Sequence, residues 1–407
     1  MERRTKLLII SSLYPNEAQP RHGIFTENRM RNLIKLKEVE IRVVSPVPWF
    51  PTKSNWIGKY SVFASVPRTD ERYGIKIVYP RYPVLPRIGM TLSPLLMTGA
   101  LIRPIQKLIK AGYDFDIIDA YYLYPDGVAA VLLARYFRKP VIITAYGTDI
   151  NLIPQYLLPR RMIQWAGRYA SGITSVCQAL KEELLKLGIQ DKAVRVILHG
   201  VDINLFRPPN DRAAIRAKLG LSCPTLLSVG HLIERKGHHI VIKSLTNLPG
   251  MKLLIAGDGE AELDLKRLAA SLGVSNRIQF LGHVHQKDLP TYYGAVDALV
   301  LASSREGIAN VLLESMACGT PVIATNVWGA PEVITTPDAG ILIPDRTPEA
   351  VSRGVNDLFA SYPERSATRR LVEKFTWDRT SEQHITLINE IMKQKIITRE
   401  RRLTSPH

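Results

Sequence analysis

The sequence predicts an α/β protein of two Rossmann-like domains with parallel sheets. The chain has 407 residues, too many for one ordinary core, since single cores rarely grow beyond about 250 residues. Short apolar, β-branched runs alternate with longer amphipathic stretches throughout, which is the pattern of βαβ units. These runs form two series, separated by the turn-rich segment His199 to Pro224 with Pro208-Pro209-Asn210-Asp211 inside it.

In the first series the expected strands are Leu7–Ile10, Ile41–Ser45, Ile75–Tyr79, Ile117–Ala120, Val141–Thr144, Ile173–Val176 and Val194–Leu198. In the second they are Thr225–Val229, Lys252–Ala256, Ile278–Leu281, Ala298–Ala302, Val322–Ala324 and Gly340–Ile343. A boundary near residue 205 gives domains over 1–205 and 206–375. A helical segment over 376–407 should pack back toward the first domain and end in a frayed tail. The stretch Pro46 to Pro94, where prolines interleave with aromatics and arginines as in Tyr79–Arg87, reads as irregular structure over the first sheet.

Apolar content of 46% with 22% charged residues is that of a globular protein. The opening basic residues and Leu7–Ile10 could begin a signal peptide, but no small-residue cleavage site follows Ser11-Ser12. Leu92–Ile105 is interrupted by Pro94, Arg103 and Pro104 and is too short to span a bilayer. Cys177, Cys223 and Cys318 lack metal-ligand spacing and read as reduced thiols of a cytoplasmic protein. Residues 1–200 hold 29 Lys/Arg against 15 Asp/Glu, a net +14 within the total of +17. Such a field draws nucleic acid, anionic lipid or an anionic substrate. No recognised nucleic-acid module is visible, so nucleic acid is not an expected partner.

The richest chemistry lies in Ser303–Pro321. A strand ends at Ser303, Glu306-Gly307 make a loop, a helix is expected from Ile308, and Gly319 with Pro321 stops it. Unpaired N–H groups of Gly307, Ile308, Ala309 and Asn310 at that helix start would receive a diphosphate at the sheet's C-terminal edge. Glu314 lies two turns in, roughly 9 Å along. That span fits a nucleotide sugar, with Glu306 at the sugar hydroxyls and Glu314 at the ribose.

These two glutamates, together with Val229–Gly237, Ala256-Gly257-Asp258-Gly259 and Cys318-Gly319-Thr320-Pro321-Val322, resemble glycosyltransferase family 4, whose members are retaining enzymes of GT-B fold. The resemblance runs over nearly the whole chain with the motifs in order. It implies two domains facing across a cleft, an acceptor-binding first domain and a nucleotide-sugar-binding second. In the family an Arg follows the Gly at the position of Gly230, and a Lys stands five residues later, both on the donor diphosphate. Here Lys236 matches and His231 replaces the Arg. A neutral His lacks the guanidinium's bidentate fork, and Arg235 is the neighbouring cation that would compensate. The resemblance also places Gly257 beside the nucleotide, Val284 beside the base through its main chain, and Gly23 where backbone N–H groups approach the diphosphate from the opposite side.

Thr144–Ile150 resembles the segment that usually reads His-Gly-x-Asp. Tyr146 replaces the His that lies near the reacting sugar, and Asp149 matches the Asp, which should orient groups there. A phenol with a pKa near ~10 is a poor base at pH 7, so Tyr146 is expected to donate a hydrogen bond. Asp114-Phe115-Asp116 spells a metal-binding pair of another glycosyltransferase class, but it precedes a strand instead of following one and reads as a solvated turn.

The expected activity is therefore transfer of a sugar from a UDP- or GDP-sugar to a glycan or lipid-linked acceptor in cell-surface polysaccharide synthesis, with retention and with no metal or cofactor. The alternative, pointed to by Tyr146 and His231, is a catalytically impaired nucleotide-sugar-binding protein. An anionic membrane at the cytoplasmic face is a further expected partner. It would dock on a helix over Thr26–Val39, with Arg29, Arg31, Lys35 and Lys37 toward water and Arg81, Arg87, Arg160, Arg161 and Arg168 adding charge.

Overall fold

The computed structural model describes residues 3–49, 61–84 and 89–404. Arg87 lies outside the described residues. The chain divides into two compact units, Met1–Ile197 with Thr380–His407, and Leu198–Arg379.

The first unit holds β1 (Thr5–Ile10), β2 (Val39–Val44), β3 (Val47–Pro48), β4 (Thr69–Arg72), β5 (Ile75–Val78), β6 (Arg81–Tyr82), β7 (Ile117–Tyr121), β8 (Val141–Ala145), β9 (Gly172–Ser175) and β10 (Val194–Val196). Eight of them form one sheet in the order β10-β9-β8-β7-β1-β2-β5-β4. Its pairings are parallel, as in Leu7 opposite both Ile41 and Ile117, except for the antiparallel edge β4–β5. Both faces of the central strands are covered, which is why β1, β7 and β8 read as unbroken apolar runs. The stretch expected to be irregular contributes the edge strand β4 and the small β3–β6 pair. The sequence of β4, Thr-Asp-Glu-Arg, is polar because an edge is half-solvated and charge there discourages further pairing.

The second unit holds β11 (Thr225–Val229), β12 (Lys252–Ala256), β13 (Ile278–Gly282), β14 (Ala298–Leu301), β15 (Val322–Thr325) and β16 (Gly340–Ile343), all parallel, in the order β13-β12-β11-β14-β15-β16. Counted within the unit this is 3-2-1-4-5-6, the doubly wound order, and its direction reverses between β11 and β14. Ligands of such sheets bind beyond the carboxyl ends of the strands at that reversal. In the first unit the corresponding reversal lies between β1 and β7.

The units divide at Leu198, a few residues before the expected boundary, because the turn-rich segment already belongs to the second unit. There Val201 N–H donates to Phe375 O at 2.8 Å, and Arg212 and Arg216 both bind Asp297. The last helix, Trp377–Thr404, places Ile385, Leu387, Ile388 and Ile391 in the core of the first unit. Among the described residues no helix is long and apolar enough to cross a membrane.

Candidate active site

In the second unit, β11 ends at Val229 and the chain turns through Gly230 into a short helical turn over Glu234–Lys236. Glycine is required at two points. A Cβ on Gly237 would lie 1.9 Å from Ala302 O, and one on Gly257 would lie 1.9 Å from Gly230 O. The loops after β11, β12 and β14 are thus in backbone contact. Leu232 N–H donates to Asp258 O, and Gly257 N–H to Gly282 O, both at 2.8 Å. Arg346 clamps the Glu234 turn from outside, donating to Ala302 O and to the Glu234 carboxylate at 2.8 Å each.

This packing brings Lys236 to Glu306. Lys236 Nζ lies 2.5 Å from Glu306 Oε1, with both side chains largely covered. Ser303 donates to the same oxygen at 2.9 Å, and Arg235 lies 3.5 Å from it while donating to Arg305 O at 3.0 Å. An ammonium has three donors, so Lys236 can hold Glu306 and still meet phosphate oxygens. His231 is different. It is exposed, 3.7 Å from Asp258, and no guanidinium occupies its position. His238, which the sequence reading passed over, lies just behind Lys236. It meets the Ser228 hydroxyl at 2.9 Å and is held neutral, its pKa pushed down to about 4 by burial and then by the Lys236 charge.

The helix after Glu306 runs over Asn310–Ala317, starting two residues later than expected. Ile308 and Ala309 are buried in the loop, and Gly329 N–H donates to Gly307 O at 3.0 Å. Their apolar character reflects packing on the Gly329 turn. Asn310 Oδ1 lies 3.0 Å from His199 Nδ1. A small cavity lined by Ser303, Glu306, Ala309, Thr325, Val327 and Ala330 adjoins this loop. Glu314 then stands only about 6 Å along the helix, at 1.5 Å per residue, which corrects the two-turn separation. It is buried, receiving Tyr293 OH at 3.0 Å and Gln286 Nε2 at 3.3 Å. Burial raises its pKa, and those two donors oppose the rise. Val284 is half-buried in the loop after β13, beyond the left-handed Gly282.

In the first unit the loop after β1 is tied down by residues from the neighbouring strand ends. Asp126 accepts from the backbone N–H of Ser12, and from its hydroxyl at 2.8 Å. Burial raises the Asp126 pKa to about 7. Gly23 is buried against Leu13, whose carbonyl oxygen would lie 2.1 Å from an added Cβ, so its glycine is explained by that approach. Asp149 does orient groups, but they are backbone groups. It accepts from Gly147 N–H and Leu123 N–H at 2.7 Å each and from Tyr146 N–H at 3.2 Å.

Tyr146 departs from expectation. Its ring lies 4.7 Å from Phe25 and 6.2 Å from Tyr121, and its hydroxyl is buried beside Thr26. Burial raises the phenol pKa further above its ordinary value. The hydroxyl expected to donate to a reacting sugar is covered in this structure, with Thr26 beside it. Arg29, expected toward water, is also buried. Its Nη2 lies 3.0 Å from His384 Nδ1, and His384 Nε2 lies 2.8 Å from Asp119 Oδ2, which Tyr121 OH also meets at 2.8 Å. An Arg can only donate, so His384 Nδ1 accepts from Arg29, and the ring links Arg29 to Asp119 inside the unit. No local pattern announces a pair 355 positions apart.

Asp114 and Asp116 are used by the surface, the first with Lys139 and the second with Arg3 and the Lys6 N–H. Among the described residues no cluster of three or more His, Cys, Asp or Glu could hold a metal.

Two doubly wound units in one chain are the GT-B fold, shared with the solved glycosyltransferase structures that this chain superposes on. The group 1 glycosyl transferase family matches residues 211–374, and the Glycosyltransferase Family 4 pattern matches residues 59–205. The chain belongs to glycosyltransferase family 4. It is 29% identical over 332 residues to TuaC of Bacillus subtilis, a glycosyltransferase named for teichuronic acid biosynthesis, covering 80% of this chain and 82% of that one. It is 27% identical over 322 residues to a GDP-mannose-dependent phosphatidylinositol monomannoside mannosyltransferase of Mycolicibacterium smegmatis, covering 75% and 82%. Among solved structures, Anabaena HepE in complex with UDP and glucose superposes with a TM-score of 0.72 at 21% identity, covering 95% of this chain and all of that one.

Proposed function

We propose that this enzyme transfers a hexosyl group from a UDP- or GDP-sugar to a glycan or lipid-linked acceptor in polysaccharide or glycolipid synthesis, with retention and without a metal. The observation that carries the reading is the 2.5 Å contact of Lys236 with Glu306 at the reversal of the second sheet. Lys236, with Arg235 beside it and the N–H groups of residues 307–310, stabilises the diphosphate as it leaves. Preorganised cations and dipoles of this kind are commonly the largest catalytic term. Glu306 receives the sugar hydroxyls through Oε2, since its described contacts fall on Oε1. Glu314 takes the ribose by exchanging Gln286 for a hydroxyl, and the main chain at Val284 meets the base. His231, exposed beside Asp258, contributes a neutral hydrogen bond where the family has an Arg, and Gly257 allows that loop its close approach. In the first unit, Gly23 and Asp149 shape the acceptor side. HepE, of the same fold, binds UDP-glucose, and the mycobacterial relative uses GDP-mannose, which supports a nucleoside diphosphate donor of either base. The basic first unit brings the enzyme to the cytoplasmic face of an anionic membrane carrying the acceptor.

A thermal-shift screen of UDP- and GDP-sugars tests this. A donor at 100 times its dissociation constant adds roughly 2.7 kcal/mol of stability, and the stabilising sugar nucleotide should then be turned over, with EDTA leaving the rate unchanged. Binding without turnover would instead identify an impaired binding protein, and a rate lost to EDTA and restored by Mn²⁺ would overturn metal independence.

A further inference from the structure

Among the described residues of the first unit, one loop-to-helix corner leaves three consecutive large apolar side chains in water. Tyr156, Leu157 and Leu158 are consecutive, and each is more than half exposed, at 56%, 60% and 52%. They begin the helix Leu157–Tyr169, which already has a core face in Pro159, Ile163, Ala166 and Gly167. Tyr156 stands at the N-cap, where a polar side chain would ordinarily receive the first N–H groups, and it makes no side-chain cap. Core packing and capping both leave the triplet unexplained.

The start of a second helix adjoins it. Tyr124 OH donates to Met90 O and lies 4.0 Å from Met162 Sδ, so it joins the first turns of helix Gly89–Lys110 to helix Leu157–Tyr169. Met90 and Leu95 on that second helix are also exposed. Single exposed apolar residues are ordinary, but a cluster on adjacent helix starts marks a contact surface.

Its charge identifies the partner. The sequence has no Asp or Glu from Ile150 to Lys181, while Arg160, Arg161, Arg168 and Lys181 fall in that span, and none from Arg72 to Tyr113. Exposed Arg160 and Arg161 follow the leucine pair by less than one turn. Leucines that enter acyl chains, a tyrosine at the headgroup level and arginines at the phosphates are the chemistry of an anionic bilayer surface. The Thr26–Val39 segment does not offer it. Thr26, Arg29, Met30 and Leu33 are buried there, and Arg31 stacks 3.7 Å over the Tyr73 ring.

We infer that the corner formed by Tyr156, Leu157, Leu158, Met90 and Leu95, with Arg160 and Arg161, inserts shallowly into anionic membrane. The inference rests on the membrane part of the proposed function and names the surface that performs it. Flotation of the full chain with vesicles of equal phosphatidylglycerol and phosphatidylcholine, and with phosphatidylcholine alone, tests it. The unaltered chain should float with the anionic vesicles and progressively less as NaCl rises, since the Debye length shortens to about 8 Å at 0.15 M. Leu157→Asp with Leu158→Asp should lower the partition coefficient at least tenfold with an unchanged melting temperature. Arg160→Gln with Arg161→Gln should weaken binding and flatten its salt dependence, whereas Lys35→Gln with Lys37→Gln should change neither. Salt-sensitive flotation that survives the double Asp variant would overturn this corner while leaving membrane attachment standing. No flotation of the unaltered chain, or equal recovery with neutral vesicles, would overturn anionic membrane docking altogether and leave the sugar transfer reading untouched.

Discussion

At the sheet reversal of the first unit, the carboxylates are enclosed and already engaged. Asp149 takes three backbone N–H groups and Asp126 takes Ser12 twice, and neither side chain meets solvent. At the reversal of the second unit, Glu306 and Lys236 hold each other with some exposure remaining, 13% and 16% of their side chains, and with donors and an acceptor oxygen to spare. The same residue types therefore do different work. The first set fixes the shape of loops, and the second, on the function proposed above, is shared with the donor. Buried polar groups that are fully satisfied by the protein shape a site, while partly exposed charges at a strand end can be shared with substrate.

Substitutions should separate these roles, with stability changing in the first unit and turnover in the second. The largest stability loss is expected from Asp149→Ala, which strands the N–H groups of Leu123, Tyr146 and Gly147. Each unmet buried donor costs about 1–3 kcal/mol, so the total should be about 3 kcal/mol or more, a fall of roughly 6–12 °C in the melting temperature. Calorimetry showing no change would mean the loops hold themselves. A smaller, pH-dependent effect is expected from Asp126. Its pKa is raised from 3.8 to about 7, chiefly by burial and in part by the nearby Asp149. Between those values the folded state keeps a proton that the unfolded chain has released, so the stabilisation present at low pH is lost as pH rises toward 7. Urea unfolding at pH 5 and pH 8 should show that loss, and Asp126→Asn should reduce it. An identical slope in the variant would assign the pH dependence elsewhere. The smallest effect belongs to Tyr146→Phe, which removes a buried hydroxyl beside Thr26 and should cost about 1 kcal/mol of stability with turnover within about threefold. A tenfold loss of turnover, only ~1.4 kcal/mol of barrier, would return the hydroxyl to the reaction.

The fold was legible where strands are buried on both faces, because their apolar runs are continuous. Every run named from the sequence forms a strand. Strand β4 was not legible, since a charged edge carries no apolar signal. The helix start at Asn310 was misread because Ile308 and Ala309 are apolar through loop packing, which periodicity cannot distinguish from a helix face. At the site, Glu306 and Lys236 could each be singled out from their loops, but their direct contact could not, because it depends on how the loops after β11 and β14 pack. Asp126 could not, because Pro125-Asp126-Gly127 reads as an ordinary turn, and Arg29 with His384 could not because only the returning last helix brings them together. The burial of the Tyr146 hydroxyl was not legible, because it depends on Thr26 and Tyr121, which no spacing relates to it.

The central claim is that the Lys236–Glu306 pair serves the ligand and not the fold. Steady-state turnover of the sugar nucleotide found by thermal shift, measured for Glu306→Gln and Lys236→Ala together with their melting temperatures, tests it most directly. Each variant should lose at least tenfold in turnover, equivalent to ~1.4 kcal/mol of transition-state stabilisation, while melting within about 2 °C of the unaltered enzyme, as expected for substitutions worth less than about 1 kcal/mol of stability. Near-normal turnover in both variants, or a loss explained by a collapse in melting temperature, would contradict the account.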